Sequence, residues 1–211
     1  MFKFILLMVL ILKSEWTFAH FEFIKELGKS QQVLVVKESK KGSYLLRFYE
    51  KRARKWTLLL ETPVVIGKGG FAPRGEKLEG DSRTPSGVFP LGIVWGYSPS
   101  IETKMPYHQV DEEDKFVDDP NSDQYNQWVR GVTKAQSYEM IKRQDGVYEF
   151  GVVINYNMNP TIKGKGSAIF LHIWRSSQDS TAGCVAMEKS GLLKILSLLN
   201  PQKNPQILLN P

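Results

Sequence analysis

Apolar and polar residues alternate along this chain in short bursts, parted by turn-forming residues. Residues 33–36 and 44–49 flank Lys41, Gly42 and Ser43, a pattern that predicts a β-hairpin with its charges exposed. Residues 56–60 and 64–66 predict two more short strands separated by Glu61, Thr62 and Pro63. Thr84, Pro85, Ser86 and Gly87 have the composition of a tight turn leading into Val88 and Phe89. Farther on, residues 151–154 and 168–174 read as strands, and residues 206–209 add a last one. Only residues 188–199 show helical spacing, with Leu192, Ile195, Leu196 and Leu199 on one face and Pro201 beyond the end. The pattern predicts one mostly β domain over residues 20–211, a sandwich-like or curled mixed sheet with a single C-terminal helix.

Residues 105–145 break this rhythm. Asp111, Glu112, Glu113, Asp114, Asp118, Asp119 and Asp123 make the segment acidic, and it predicts a long polar insertion with a short helix near residues 125–132. Its offsets do not fit a calcium-binding EF-hand loop. Two roles stay open for it: a solvated surface, or a lid whose carboxylates meet a cationic group.

At the other end of the chain, Lys3 precedes nine consecutive apolar residues, 4–12, and Thr17, Phe18 and Ala19 place small residues where a signal peptidase reads. Residues 1–19 therefore predict an export signal, or an anchor if it stays uncleaved. The run is short for a span, which needs about 20 residues. The formal net charge is +6, with basic residues crowded between Lys29 and Lys55. Behind an export signal that face suits an anionic wall or membrane surface, or is simply solvated; a nucleic-acid partner is not expected. The cluster of Gly67, Gly69 and Gly70 lacks the strand-to-helix setting and Lys-Ser/Thr ending of a phosphate loop, which excludes nucleotide binding.

Cys184 is the single cysteine. In an oxidising compartment it has no internal disulfide partner, so it is either buried and inert or kept for its reactivity. His172 lies twelve positions earlier, near the end of a predicted strand, and the intervening loop is polar and ends at Gly183. Period-2 alternation sets Ile169, Leu171 and Ile173 on one face and Phe170, His172 and Trp174 on the other, while Val185 and Met187 point to the core and Cys184 and Ala186 away from it. A thiol at the mouth of a strand, a nearby imidazole and the amides of Gly183 and Cys184 are the parts for acyl transfer: nucleophile, base and oxyanion donors. His108 is a competing base. No metal or other cofactor is needed, because one cysteine and scattered histidines make no credible cage.

The segment Ser180-Thr181-Ala182-Gly183-Cys184, behind a strand ending at a histidine, resembles the catalytic motif of the L,D-transpeptidase (YkuD-type) family. Thr84-Pro85-Ser86-Gly87 is similar to that family's Thr-Pro-x-Gly signature, and the likeness covers roughly residues 32–187. Many members carry a histidine and an arginine where this chain has Ala182 and Ala186; the form seen here resembles an Ala-Gly-Cys-Val-Ala branch. The resemblance implies a wall-acting enzyme that takes a peptidoglycan stem tetrapeptide, loses its terminal D-alanine and passes the acyl group from Cys184 to an amine. That amine belongs to a second stem, a wall-attached protein or a D-amino acid; water instead makes the enzyme a carboxypeptidase. It also implies an exported enzyme of the periplasm or cell wall. Arg175 suits a substrate carboxylate; Trp174, Ser180, Tyr107 and Tyr156 are further candidates for lining the cleft, and Ser180 or a backbone carbonyl is expected to orient His172. Two rival readings use the same residues differently: a sortase-like or papain-like thiol enzyme, and a non-enzymatic wall-binding module that needs no reactive thiol.

Overall fold

The computed structural model describes residues 26–53 and 55–210. The expected export segment lies outside these residues. The predicted hairpin is present as β1 (Gln32–Lys40) and β2 (Ser43–Arg52), with Gly42 at φ +76° in the turn. Next comes β3 (Lys55–Val65), one continuous strand where the sequence suggests two. Pro63 does not interrupt it, because the strand that pairs with the far edge of β3 reaches only Val64 and Val65. Beside Pro63 that edge is open, and a missing N–H is tolerated there.

The chain continues through β4 (Gly87–Gly96), β5 (Tyr107–Gln109), β6 (Asp114–Val117), β7 (Trp128–Arg130), β8 (Tyr138–Met140) and β9 (Phe150–Ile154). Then follow β10 (Phe170–Ile173), β11 (Val185–Met187), the helix α1 (Lys189–Leu198) and β12 (Gln206–Leu209). Nine strands form one mixed sheet in the order β12-β1-β2-β3-β11-β10-β9-β4-β5. β12 runs parallel to β1 and also pairs antiparallel with the first half of β4, so the sheet curls until it closes on itself. Closure shortens the exposed edges that an open sheet would carry.

Alternation along the strands decides what the curl encloses. Leu34, Val36, Leu46, Phe48, Val152, Ile154, Leu171, Val185 and Met187 face one common core. The helix α1 adds Leu192, Ile195 and Leu196 to it, each fully buried, a gain of about 1.5–3 kcal/mol per side chain. Glu188 caps the helix by accepting from the Gly191 amide.

The opposite faces of β4, β9 and β10 are covered by a second sheet, β7-β6-β8. This is the segment expected to be a polar insertion with a short helix at 125–132; the structure corrects that. Asn126 adopts φ +60°, which stops any helix there, and its side chain is spent on distant backbone. Its amide donates to the Tyr156 and Asn157 carbonyls (2.9 and 2.7 Å) and its carbonyl accepts from the Ala168 amide (3.1 Å). The inner side of the small sheet is apolar: Phe116 and Ile141 pack with Trp95, Tyr148 and Phe170 in a second core. Of the acidic residues, Asp114 is fully buried and is satisfied by Trp128 Nε1 (2.9 Å), His108 Nε2 (2.9 Å), Arg130 Nη1 (3.0 Å) and the Asp111 amide (2.8 Å). That hub fastens the small sheet rather than facing solvent.

Candidate functional site

β10 and β11 are parallel neighbours in register Leu171 with Val185, His172 with Ala186 and Ile173 with Met187. One more step back sets Phe170 beside Cys184, so the thiol and the imidazole rise from the same face of adjacent strands, two residues apart along the ladder. Strand geometry places their Cα atoms about 8 Å apart, a diagonal that the two side chains can close. Both lie between the barrel-like sheet and the small sheet, Cys184 at 6% exposure and His172 at 7%.

The turn before Cys184 is fixed by two threonines. Thr181 donates from Oγ1 to the Cys184 carbonyl (2.6 Å), and its backbone joins residues 66–68 through the Ile66 carbonyl and the Lys68 amide (both 2.9 Å). Thr84, fully buried, donates to the Gly183 carbonyl (2.8 Å) and accepts from the Gly67 amide (2.9 Å). The turn 84–87 therefore acts structurally, as a buttress under the turn that precedes Cys184. Gly67 is required here, since a Cβ on it would sit 2.5 Å from the Ser82 carbonyl oxygen.

The Cys184 sulfur donates to the Ala168 carbonyl (3.2 Å) and accepts from the Phe170 amide (3.3 Å). Burial pushes the thiol well above its usual range, and the neighbouring Glu139 carboxyl pushes the same way; the Phe170 amide, Lys77 and the Tyr148 hydroxyl pull it back. Burial also drives the imidazole of His172 down to about 4. Its Nδ1 faces the Ile173 carbonyl (2.9 Å) and the Val147 carbonyl (3.3 Å). Carbonyls only accept, so Nδ1 carries the proton and Nε2 is the basic nitrogen. The resting pair is thus a neutral thiol and a neutral base, and a backbone carbonyl, not Ser180, orients the ring.

Both side chains open on a cavity of about 560 Å³. Trp174, Arg175, Ser180 and Gly183 line it as well. Tyr107 and Tyr156, expected at the cleft, do not line it. The Tyr107 hydroxyl donates to the Ser98 carbonyl and the Tyr156 hydroxyl to the Lys165 carbonyl, both rings packing on the main core. His108 is held at Asp114, away from the thiol. The Gly183 amide, expected to face an oxyanion, donates to Thr181 Oγ1 (3.1 Å). Arg175 is paired with Asp145 (2.9 Å), whose carboxyl Arg143 and then Arg175 hold far below the usual carboxylate range.

The cavity also contains Asp118, from the acidic run, and residues that no local sequence signal marked: Lys77, Glu79, Glu139, Arg143 and Tyr148. They come from four separate stretches brought together by the fold. Its walls therefore mix apolar surface with carboxylates and cations around a buried thiol. Among the described residues, no cluster of histidine, cysteine and carboxylate side chains is arranged to hold a metal ion.

The YkuD profile, an L,D-transpeptidase catalytic domain, matches residues 31–206. No curated protein matches the chain. Among solved structures, the chain is similar to Bdellovibrio bacteriovorus Bd1075, with 18% identity and a TM-score of 0.44 over 85% of this chain. It spans 47% of the length of that protein.

Proposed function

Since this chain belongs to the YkuD family of L,D-transpeptidase catalytic domains, we propose that Cys184 is its acyl-accepting nucleophile and His172 its base. One observation carries the reading: a thiol and a correctly tautomerised imidazole stand on one face of two parallel strands and open on a single cavity. His172 Nε2 takes the thiol proton as sulfur attacks the carbonyl of the stem's third residue. The C–S bond forms, and the tetrahedral oxyanion is met by the Cys184 amide, the Gly183 amide being engaged by Thr181. The C–N bond to D-alanine then breaks, and the imidazolium returns its proton to the departing amine. An acceptor amine attacks the thioester in the second half, with His172 as base again.

Because both groups are neutral at rest, deprotonation of the thiol accompanies attack instead of preceding it. Arg175 is the group for a substrate carboxylate, exchanging its Asp145 partner for the ligand. Trp174 and Ser180 contact the stem on the same wall. The substrate lies outside the cytoplasmic membrane, where an export segment at residues 1–19 would deliver the enzyme. The test is incubation of purified protein with muropeptides bearing tetrapeptide stems, followed by mass spectrometry. Free D-alanine with newly joined stems supports transfer to an amine, and tripeptide stems alone redefine the enzyme as a carboxypeptidase. Unchanged stems overturn the proposal.

A further inference from the structure

Tyr148 and Glu139 form a buried polar pair beside the thiol that the thiol–imidazole chemistry above does not use. The Tyr148 hydroxyl is hydrogen-bonded to Glu139 Oε2, both residues line the cavity of Cys184, and Tyr148 and Cys184 belong to the same buried cluster. The ring is held firmly. Trp95 Nε1 donates to the Tyr148 carbonyl (2.9 Å), and the Ile173 amide donates to the carbonyl of the preceding Val147 (3.1 Å). This sets the phenol edge-on to the His172 imidazole, with centroids 4.9 Å apart, and the Arg143 guanidinium lies over its ring at 5.1 Å. One phenol thus packs edge-on against one partner of the proposed acyl transfer and shares a buried cluster with the other.

A phenol has a single proton, so its direction depends on Glu139. When Glu139 is an acid, its O–H donates to the phenolic oxygen and the phenolic proton is left for sulfur. When Glu139 is a carboxylate, it takes the phenolic proton and the sulfur loses its donor. We propose that Tyr148 is a catalytic residue whose hydroxyl donates to the Cys184 sulfur as the thiolate forms, and that Glu139 is the positioning residue that aims this proton. No covalent bond in Tyr148 or Glu139 breaks; the thiol proton still goes to His172, and the phenol meets the charge left on sulfur.

The charges around the pair favour the acid form of Glu139. Burial raises it, and Asp118 and Glu79 add to this, against the Tyr148 hydrogen bond and Arg143. On the thiol side the other charged group is Lys77, which is buried and bound to Asp81 (2.7 Å).

The inference rests on Cys184 being the nucleophile, and its test uses no peptidoglycan, so it can fail while the transpeptidase reading stands. The full chain is alkylated with iodoacetamide at a fixed pH near 8, and the rate is read for wild type, Tyr148→Phe and Glu139→Gln. Tyr148→Phe keeps the ring and its packing; its alkylation should be roughly tenfold slower. Glu139→Gln keeps an N–H donor for the phenol and cannot become a carboxylate, so its alkylation should be as fast as wild type or faster. An unchanged rate in a folded Tyr148→Phe protein overturns the proposal. So does slowing in Glu139→Gln equal to that of Tyr148→Phe, and if Tyr148→Phe does not fold, any slowing in Glu139→Gln overturns it by itself.

Discussion

The two faces of β10 and β11 share one backbone and differ in almost everything else. On the inner face Leu171, Val185 and Met187 are fully buried among aliphatic neighbours and make no polar contact. On the outer face His172, Cys184 and Ala186 are almost as buried, yet they border a cavity walled by carboxylates, cations and a phenol. Burial alone therefore does not separate scaffold from site. The difference lies in what the buried groups face: close-packed hydrocarbon on one side, and on the other an opening towards which a buried thiol and imidazole, both neutral at rest, are turned.

Substitutions on the two faces should accordingly damage different properties. Cys184→Ala removes the proposed nucleophile and should abolish D-alanine release from tetrapeptide stems while the melting temperature stays close to wild type. Leu171→Ala, on the inner face, should lower stability by about 2–5 kcal/mol in denaturant titrations, with the surviving folded fraction still active. If the two variants exchanged these phenotypes, the division between faces would be wrong.

Protonation gives the next effect in size. His172 is held down at about 4, against an unfolded value of about 6.5. Above pH 6.5 neither state binds the proton and the fold has its full stability. As the pH falls from 6.5 towards 4 the unfolded chain gains a proton that the folded chain refuses, and stability drops by up to about 3 kcal/mol. Urea titrations of wild type and His172→Gln between pH 7 and 4 should show this slope only in wild type.

Two smaller effects probe the supports of the outer face. A Cβ on Gly151, which pairs with His172 across β9 and β10, would lie 2.3 Å from the Trp95 ring. Gly151→Ala should therefore cost about 1–3 kcal/mol and also impair turnover. Thr84→Val keeps the shape but strands the Gly183 carbonyl and the Gly67 amide; about 1–3 kcal/mol is expected, with a fall in activity as the turn that precedes Cys184 loosens. By contrast, Arg47→Ala, at the partly exposed Arg47–Glu61 pair on the hairpin, should change stability by less than about 0.5 kcal/mol and leave D-alanine release untouched.

What could be read in the sequence follows the same division. The hairpin, the last strand, the helix and the facing of Leu171, Val185 and Met187 were legible because each depends on local alternation or helical spacing. His172 and Cys184 stood out by residue type and by the short polar loop between them. Residues 114–140 were misread, because their acidity masked an apolar inner face and because the φ of Asn126 is set by Tyr156, Asn157 and Ala168, all distant in sequence. Tyr148 and Glu139 gave no signal for the same reason: each looks like an ordinary loop or strand residue until the small sheet folds over β10. Tyr107 and Tyr156 showed the converse, aromatic residues near the right motifs whose hydroxyls are satisfied elsewhere.

The central claim is that an acyl group passes through the sulfur of Cys184. The most direct test is the intact mass of the protein quenched in acid during turnover of a tetrapeptide stem. The account predicts a wild-type adduct equal to the stem minus D-alanine, labile to hydroxylamine and missing from Cys184→Ala. D-alanine release that continues undiminished in Cys184→Ala would contradict it.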